Sequence, residues 1–379
     1  MIGAPDMPAG MRVAITGASG FLGARLVSWL GALPGAPEVI VLARRQTSDA
    51  KCKIVDLRRE VELRAALEGC HAVVHCAFDF HDLEGNLLIC EALARAVASV
   101  GARMVHMSTA AVHEPFPEGD LEECTTGREG GSEYKSIKLS IEALLCKLVD
   151  EIGLDVVILQ PTVVYGPQGG AWTDSPIREL LTGTVVLPDA GGGFCNAVYV
   201  DDVCQAVARA MTADVASGER FLISGAGPVA WGDFYGAYCE ILALDSLRLS
   251  QIDPARAMSS HVDAEQVRVV ASRNGRSTAK RMKHLVTRVL GVRTASRLHL
   301  GVSMAKCMLL GAKTHSASGA KADLFRSRCN VKIEKARQLL GYRPQFDLEQ
   351  GMAQTRQYIL DQYAGISRLR RRRKTIAAG

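Results

Sequence analysis

The chain has 379 residues, 48% of them apolar and 22% charged, which allows a sizeable core and argues against a mostly disordered protein. Its net charge of +5 owes much to one late run, Arg368, Arg370, Arg371, Arg372, Arg373 and Lys374, so the rest is close to neutral and nucleic acid is not an expected partner. Eleven scattered cysteines with no C-x-x-C pair argue against a disulfide framework or a structural metal, and point to a reducing, cytoplasmic compartment.

The first strand-like run, Val13 to Thr16, begins almost at once, with no signal-peptide pattern before it. It leads into Gly17-Ala18-Ser19-Gly20-Phe21-Leu22-Gly23 and a predicted helix over Phe21 to Leu30. Glycines between a strand and a helix let the backbone turn sharply and approach a pyrophosphate, whose charge then meets unpaired helix N–H groups. Gly17, Ser19, Gly20, Phe21, Leu22 and Gly23 are therefore candidate dinucleotide-binding residues.

The second run, Val39 to Leu42, ends in Ala43-Arg44-Arg45, where an NAD enzyme would usually offer a carboxylate to the ribose hydroxyls. Arg44 can instead pair with a 2′-phosphate, which favours NADP over NAD; a solvated arginine pair is the alternative. Asp56 and Leu57, after the third run Lys53 to Val55, are placed to meet the adenine end, although Asp is also a common turn residue. A helix over Glu60 to Leu67, a fourth strand Val73 to Cys76 and a helix over Asn86 to Val100 follow.

The fifth strand, Met104 to Met107, delivers Ser108 and Thr109 at its carboxyl end, where ligands meet such sheets. His75 and His106 lie inside strand runs and read as structural, while His113 is on a loop near the site. Tyr134 and Lys138 stand four residues apart, on one face of a helix predicted over Tyr134 to Ile152. A phenol with a pKa of about 10 is rarely ionised at neutral pH, and the Lys138 ammonium, together with the positive nicotinamide, is expected to favour its anion. Tyr134 can then exchange a proton with an alcohol or carbonyl oxygen while hydride moves, Lys138 can also hold the nicotinamide ribose, and the Thr109 hydroxyl can orient the substrate.

A sixth strand covers Val156 to Leu159 and a seventh Arg220 to Ser224. Strands alternating with helices predict a Rossmann-type doubly wound parallel α/β sheet over residues 11–226, with an excursion near 167–195. Residues 227–348 are expected to form a smaller, mainly helical substrate lobe, and 349–379 a helix and basic tail, the latter read as a disordered, solvated end. Ten Lys or Arg against two acids between Arg256 and Arg297 give this lobe a basic face, suited to anionic substrates. The apolar segment Gly301 to Ala312 is too short to span a bilayer and is interrupted by Lys306, so no transmembrane segment is expected.

These motifs together resemble the extended short-chain dehydrogenase/reductases, a group of NAD(P)-dependent epimerases, dehydratases and hydroxysteroid dehydrogenases. The likeness also takes in Pro161-Thr162-Val163-Val164-Tyr165-Gly166-Pro167, Asn196 to Asp202 and Ala336 to Pro344. It implies Thr109, Tyr134 and Lys138 as the catalytic group, with Ser108 and Val163 at the nicotinamide and Tyr165 and Asn196 at the substrate; no metal is implied, and a homodimer is. Gln160 departs from the family's Arg at that position, and His113-Glu114 from its Tyr-Gly. Thr109-Ala110-Ala111 lacks the Thr-Asp-Glu of the dehydratase branch, which disfavours sugar dehydration. Three functions follow: epimerisation or reduction of a nucleotide sugar, expected first; reduction of a less polar, hydroxysteroid-like ketone; and a non-catalytic dinucleotide-binding protein, against which Tyr134 and Lys138 argue.

Overall fold

The computed structural model describes residues 5–46, 51–123, 132–244, 313–316 and 320–377. The expected basic face between Arg256 and Arg297 and the apolar segment from Gly301 lie outside them. Seven parallel strands form the central sheet: β1 (Arg12–Thr16), β2 (Glu38–Ala43), β3 (Cys52–Ile54), β4 (Ala72–His75), β5 (Arg103–Met107), β7 (Val156–Pro161) and β11 (Glu219–Ile223). Their order is β11-β7-β5-β4-β1-β2-β3, with the chain reversing direction across the sheet at β1 and β4.

The inner strands are mostly apolar because both sheet faces are buried there. Val13 and Ile15 of β1, Val105 and Met107 of β5, and Val157 and Leu159 of β7 pack with Leu26, Trp29 and Leu30 of α1 (Phe21–Gly31) and with Val203, Cys204 and Val207 of α6 (Val200–Ala210). Ala14, Met104, Val156 and Ile158 face the other way. They meet Leu63 and Leu67 of α2 (Glu60–Leu67), Cys90, Leu93 and Val97 of α3 (Leu83–Ser99), and Ile137, Ile141, Leu145 and Leu148 of α4 (Glu133–Ile152). Ser132 caps α4 by accepting from the Lys135 amide at 3.2 Å, and Gly153, at φ 67°, ends it in the left-handed region.

Three short parallel pairs supplement the sheet: β13 (Cys329–Val331) on β6 (Gly119–Leu121), β10 (Ala197–Tyr199) on β8 (Val163–Tyr165), and β12 (Lys313–Ser316) on β9 (Gly183–Val186). Contacts divide the chain into two discontinuous units. One takes Met1–Thr173, Phe194–Val229 and Ser327–Thr355, and the other takes the described parts of Asp174–Gly193, Ala230–Arg326 and Arg356–Gly379. The expected C-terminal lobe thus contributes its end to the sheet unit. Ile333, Ala336 of α9 (Glu334–Leu339), Leu340 and Tyr342 enter the sheet core, and the Tyr342 hydroxyl donates to the Ser224 carbonyl at 2.8 Å.

The other unit holds α5 (Ser175–Thr182), α7 (Trp231–Ile241) and α8 (Ala320–Arg326), where Trp231, Phe234, Tyr235 and Phe325 form one aromatic cluster. The last helix, α10 (Leu348–Ala377), runs through Arg368 to Lys374. This corrects the reading of that tail as disordered: arginine, lysine and alanine are good helix formers, and a helix can carry them solvated. No described helix is long and apolar enough to cross a membrane.

Candidate active site

The glycines after β1 are fixed by space as well as by conformation. Gly17 has φ +73°, and a Cβ there would lie 2.6 Å from the Ala77 amide nitrogen; a Cβ on Gly23 would lie 2.3 Å from the Gly17 carbonyl oxygen. The first turn of α1 therefore seats tightly on the β1–β4 edge. Gly20 occupies its N-cap with no side-chain acceptor, leaving helix N–H groups for a ligand.

A cleft of about 400 Å³ opens from this loop, lined by Gly17, Ser19 and Gly20 at one end and by Arg44, Asp56, Leu57 and Arg58 further out. Arg44 has no ion-pair partner among the described residues. Arg58, which sequence reasoning missed, donates to Asp82 at 2.6 Å, while its amide donates to Asp56 Oδ1 at 3.0 Å. Phe21 and Leu22 belong to the half-buried start of α1. The glycine cradle, the uncapped helix and the cleft beyond fit a dinucleotide.

Thr109, Tyr134 and Lys138 are brought together at the carboxyl end of β5. Burial pushes the Tyr134 phenol above the usual tyrosine range, with the neighbouring Thr109 side chain pulling it down and the Glu114 carboxylate raising it further. Thr109 Oγ1 also accepts from the Ala111 amide at 3.2 Å, capping the 3₁₀ turn Ala110–His113. Lys138, 4% exposed, donates to the Met107 carbonyl at 2.8 Å, and its Nζ lies 4.4 Å from the Phe78 ring centroid and 6.0 Å from that of Tyr134. Burial pushes this ammonium down to about 8.

The expectation joins Lys138 with the positively charged nicotinamide; in the protein alone burial raises the phenol. The ammonium is held by a backbone carbonyl and a phenylalanine face. The phenol of the protein alone is therefore protonated at neutral pH.

Behind this group lies a buried polar network that the sequence did not announce. Glu142, 3% exposed and one turn beyond Lys138, accepts from Ser108 Oγ, from Gln160 Nε2 at 2.9 Å and from Arg220 Nε at 2.9 Å. Gln160 Oε1 in turn meets His113 Nε2 at 2.9 Å, so His113 is a buried member of this network. At Gln160, where the resemblance led to an arginine, the guanidinium comes instead from Arg220 on the neighbouring strand β11. The i, i+4 spacing of Lys138 and Glu142 was the available signal.

Tyr165, Asn196 and Val163, expected at substrate or nicotinamide, are placed in the packing. The Tyr165 hydroxyl donates to the Asp347 carbonyl at 3.3 Å and its ring meets Tyr199 at 5.6 Å. Asn196 Nδ2 donates to the Cys329 carbonyl at 2.7 Å, and its Oδ1 accepts from the Val331 amide at 3.1 Å. That pattern pins β13, an allocation that strand-end position alone cannot foretell. Val163 is 7% exposed at the start of β8. His75, Cys90 and His106 have ligand atoms within 4.8 Å of one another. A dication is disfavoured there: His75 Nδ1 is engaged with Thr16 Oγ1 at 2.8 Å, and the Lys138 ammonium, close enough to act on both imidazoles, would repel a second cation.

The family model of the NAD dependent epimerase/dehydratase family matches residues 13–224. Among curated proteins, a 4-hydroxy-2-methyl-3-oxo-4-farnesyl-3,4-dihydroquinoline-1-oxide ketoreductase of Stigmatella aurantiaca is 25% identical over 242 residues, 59% of this chain and 71% of that protein. Similar solved structures include a UDP-glucuronic acid 4-epimerase from Bacillus cereus in complex with UDP-glucuronic acid and NAD. It has TM-score 0.65 and 17% identity, and the match covers 93% of this chain and 100% of that one. A dTDP-glucose 4,6-dehydratase from Streptomyces venezuelae with NAD bound has TM-score 0.63 and 22% identity, with 93% and 97% covered.

Proposed function

Because this chain belongs to the NAD-dependent epimerase/dehydratase family, we propose that it acts as an NADP-linked ketoreductase, converting the carbonyl of a weakly polar ketone to an alcohol. Membership makes it a nicotinamide-dependent epimerase or oxidoreductase. The narrower reading rests above all on the placing of the Tyr134 phenol, which burial keeps protonated, beside Thr109 and with its ring centroid 6.0 Å from Lys138 Nζ. A phenol in that state gives a proton to a carbonyl oxygen as hydride arrives at the carbon, which is reduction.

The reduced nicotinamide, when bound, supplies that hydride. Gly17 to Gly23 would hold its pyrophosphate, Arg44 and Arg58 a 2′-phosphate, and Lys138 the ribose hydroxyls. Thr109 orients the ketone oxygen toward Tyr134, which recovers its proton from water. Ala110 and Ala111 offer no acid or base for elimination. The ketoreductase from Stigmatella aurantiaca supports the same direction of chemistry.

Deuterium at the transferable position of NADPH tests this reading. Its appearance on the carbinol carbon of a ketone product supports the reductase. NAD that stays on the purified protein near one per chain, with no exchange of label, would instead support the nucleotide-sugar epimerase reading, since an internal redox cycle regenerates its own cofactor. The proposed homodimer and cytoplasmic location are decided separately, by light scattering and by fractionation.

A further inference from the structure

The segment Phe78-Asp79-Phe80, just past β4, sets two phenyl rings against the catalytic phenol. The Phe80 ring stacks on Tyr134 with centroids 5.5 Å apart and planes 26° apart; Phe78 meets Tyr134 edge-on at 5.4 Å and Phe80 at 5.0 Å. Phe80 is nonetheless 69% exposed, unusual for a phenyl ring beside a buried catalytic centre.

This presentation is built into the chain. Asn86 of α3, 4% exposed, accepts from the Asp79 amide at 2.8 Å and donates to the Asp79 and Asp82 carbonyls at 2.9 and 2.8 Å. Asp79 Oδ1 also accepts from the His81 amide at 2.9 Å. The turn between the two phenylalanines is thus clamped through its backbone, which leaves their rings to be used. Phe78 carries the Lys138 ammonium over its ring, so that charge is occupied away from the Phe80 face.

We infer that Phe80, backed by Phe78, is the substrate-selecting wall of this site and favours a ketone whose carbonyl is conjugated to a planar aromatic ring. This rests on the ketoreductase reading above. A substrate whose oxygen reaches the Tyr134 hydroxyl brings its neighbouring substituent against the Phe80 ring. A flat ring covers that face and gains the offset contact aromatic pairs prefer. A puckered sugar ring would offer that face only scattered C–H groups, a smaller contact than a flat aromatic ring makes.

The test uses two ketones of one skeleton, acetophenone with a planar ring and cyclohexyl methyl ketone with a puckered one. Binding to the full chain saturated with NADP⁺ is followed by calorimetry, so turnover is not required. Acetophenone is expected to bind about tenfold tighter than its saturated counterpart, and Phe80→Ala to shrink that ratio to about twofold. Phe80→Trp should keep the preference, as should Val61→Ala, which removes an apolar side chain 74% exposed on α2. Absence of the preference in the unaltered chain, or its persistence in Phe80→Ala with an unchanged thermal melt, overturns the inference. NADPH oxidation is scored separately: a preference that vanishes in Phe80→Ala supports the wall even if neither ketone is reduced, whereas failure of hydride transfer to every ketone counts against the ketoreductase.

Discussion

Arg220 of β11 donates through Nε to Glu142 Oε2 of α4 at 2.9 Å, so a guanidinium half in solvent neutralises a carboxylate that is 3% exposed. The same carboxylate holds Ser108, the residue before Thr109, which ties the ion pair to the position of the strand end. Breaking such a pair from one side leaves a buried charge, so Arg220→Met is expected to destabilise by about 2 kcal/mol, discounted for the exposure of the arginine. The double change Arg220→Met with Glu142→Gln should recover most of this. Thermal melts of the three variants decide it, and equal stability of single and double variants would count against the pair.

The glycine loop gives a sharper contrast. Gly17→Ala forces both a left-handed φ and a contact of 2.6 Å with backbone, and is expected to cost about 2 kcal/mol or more and to abolish dinucleotide binding. Gly31→Ala meets no atom within 4 Å at the end of α1 and should be neutral or stabilising by about 0.5 kcal/mol. Chemical unfolding and cofactor titration of the pair measure both effects.

Lys138 makes a pH prediction with a definite sign. Burial lowers its folded pKa to about 8, so the folded protein binds fewer protons than the unfolded chain between there and the ordinary lysine value. Stability from this group therefore rises as pH increases from about 8, and at neutral pH the buried ammonium is a net penalty. Lys138→Met should raise stability at pH 7 by about 2 kcal/mol, after allowing for the lost bond to the Met107 carbonyl, while abolishing turnover. In the unaltered chain, ketone reduction should hold steady below pH 8 and fall above it as the ammonium is lost, before the phenol ionises. A profile flat to pH 10 would remove Lys138 from that role.

Arg44 carries the cofactor preference. Arg44→Ser is expected to weaken NADPH about tenfold or more while leaving NADH nearly unchanged, because only NADPH loses a charge-assisted contact. Equal changes for both would make Arg44 a solvated surface residue.

The inner sheet strands were legible because burial on both faces writes them as continuous apolar runs, such as Val156 to Leu159. The glycine loop and the Tyr134–Lys138 spacing were legible because local backbone geometry imposes them. Glu142 and Arg220 drew no notice in the sequence; their pairing depends on β11 lying next to β7, which strand order alone reveals. Phe78 and Phe80 have no periodicity to betray them, and the turn between them is set by the Asn86 clamp. The return of Ile333 to Tyr342 to the sheet core escaped a reading in contiguous lobes, since no local pattern records which distant surface a segment covers.

The most direct measurement is the rate of NADPH oxidation with acetophenone by the unaltered chain and by Tyr134→Phe, with NADP⁺ affinity determined for both. A proton-donating Tyr134 predicts alcohol formation matching NADPH consumed, and a fall of about a hundredfold or more in kcat for Tyr134→Phe with cofactor affinity preserved. Undiminished reduction by Tyr134→Phe would contradict it, because the proton would then come from elsewhere.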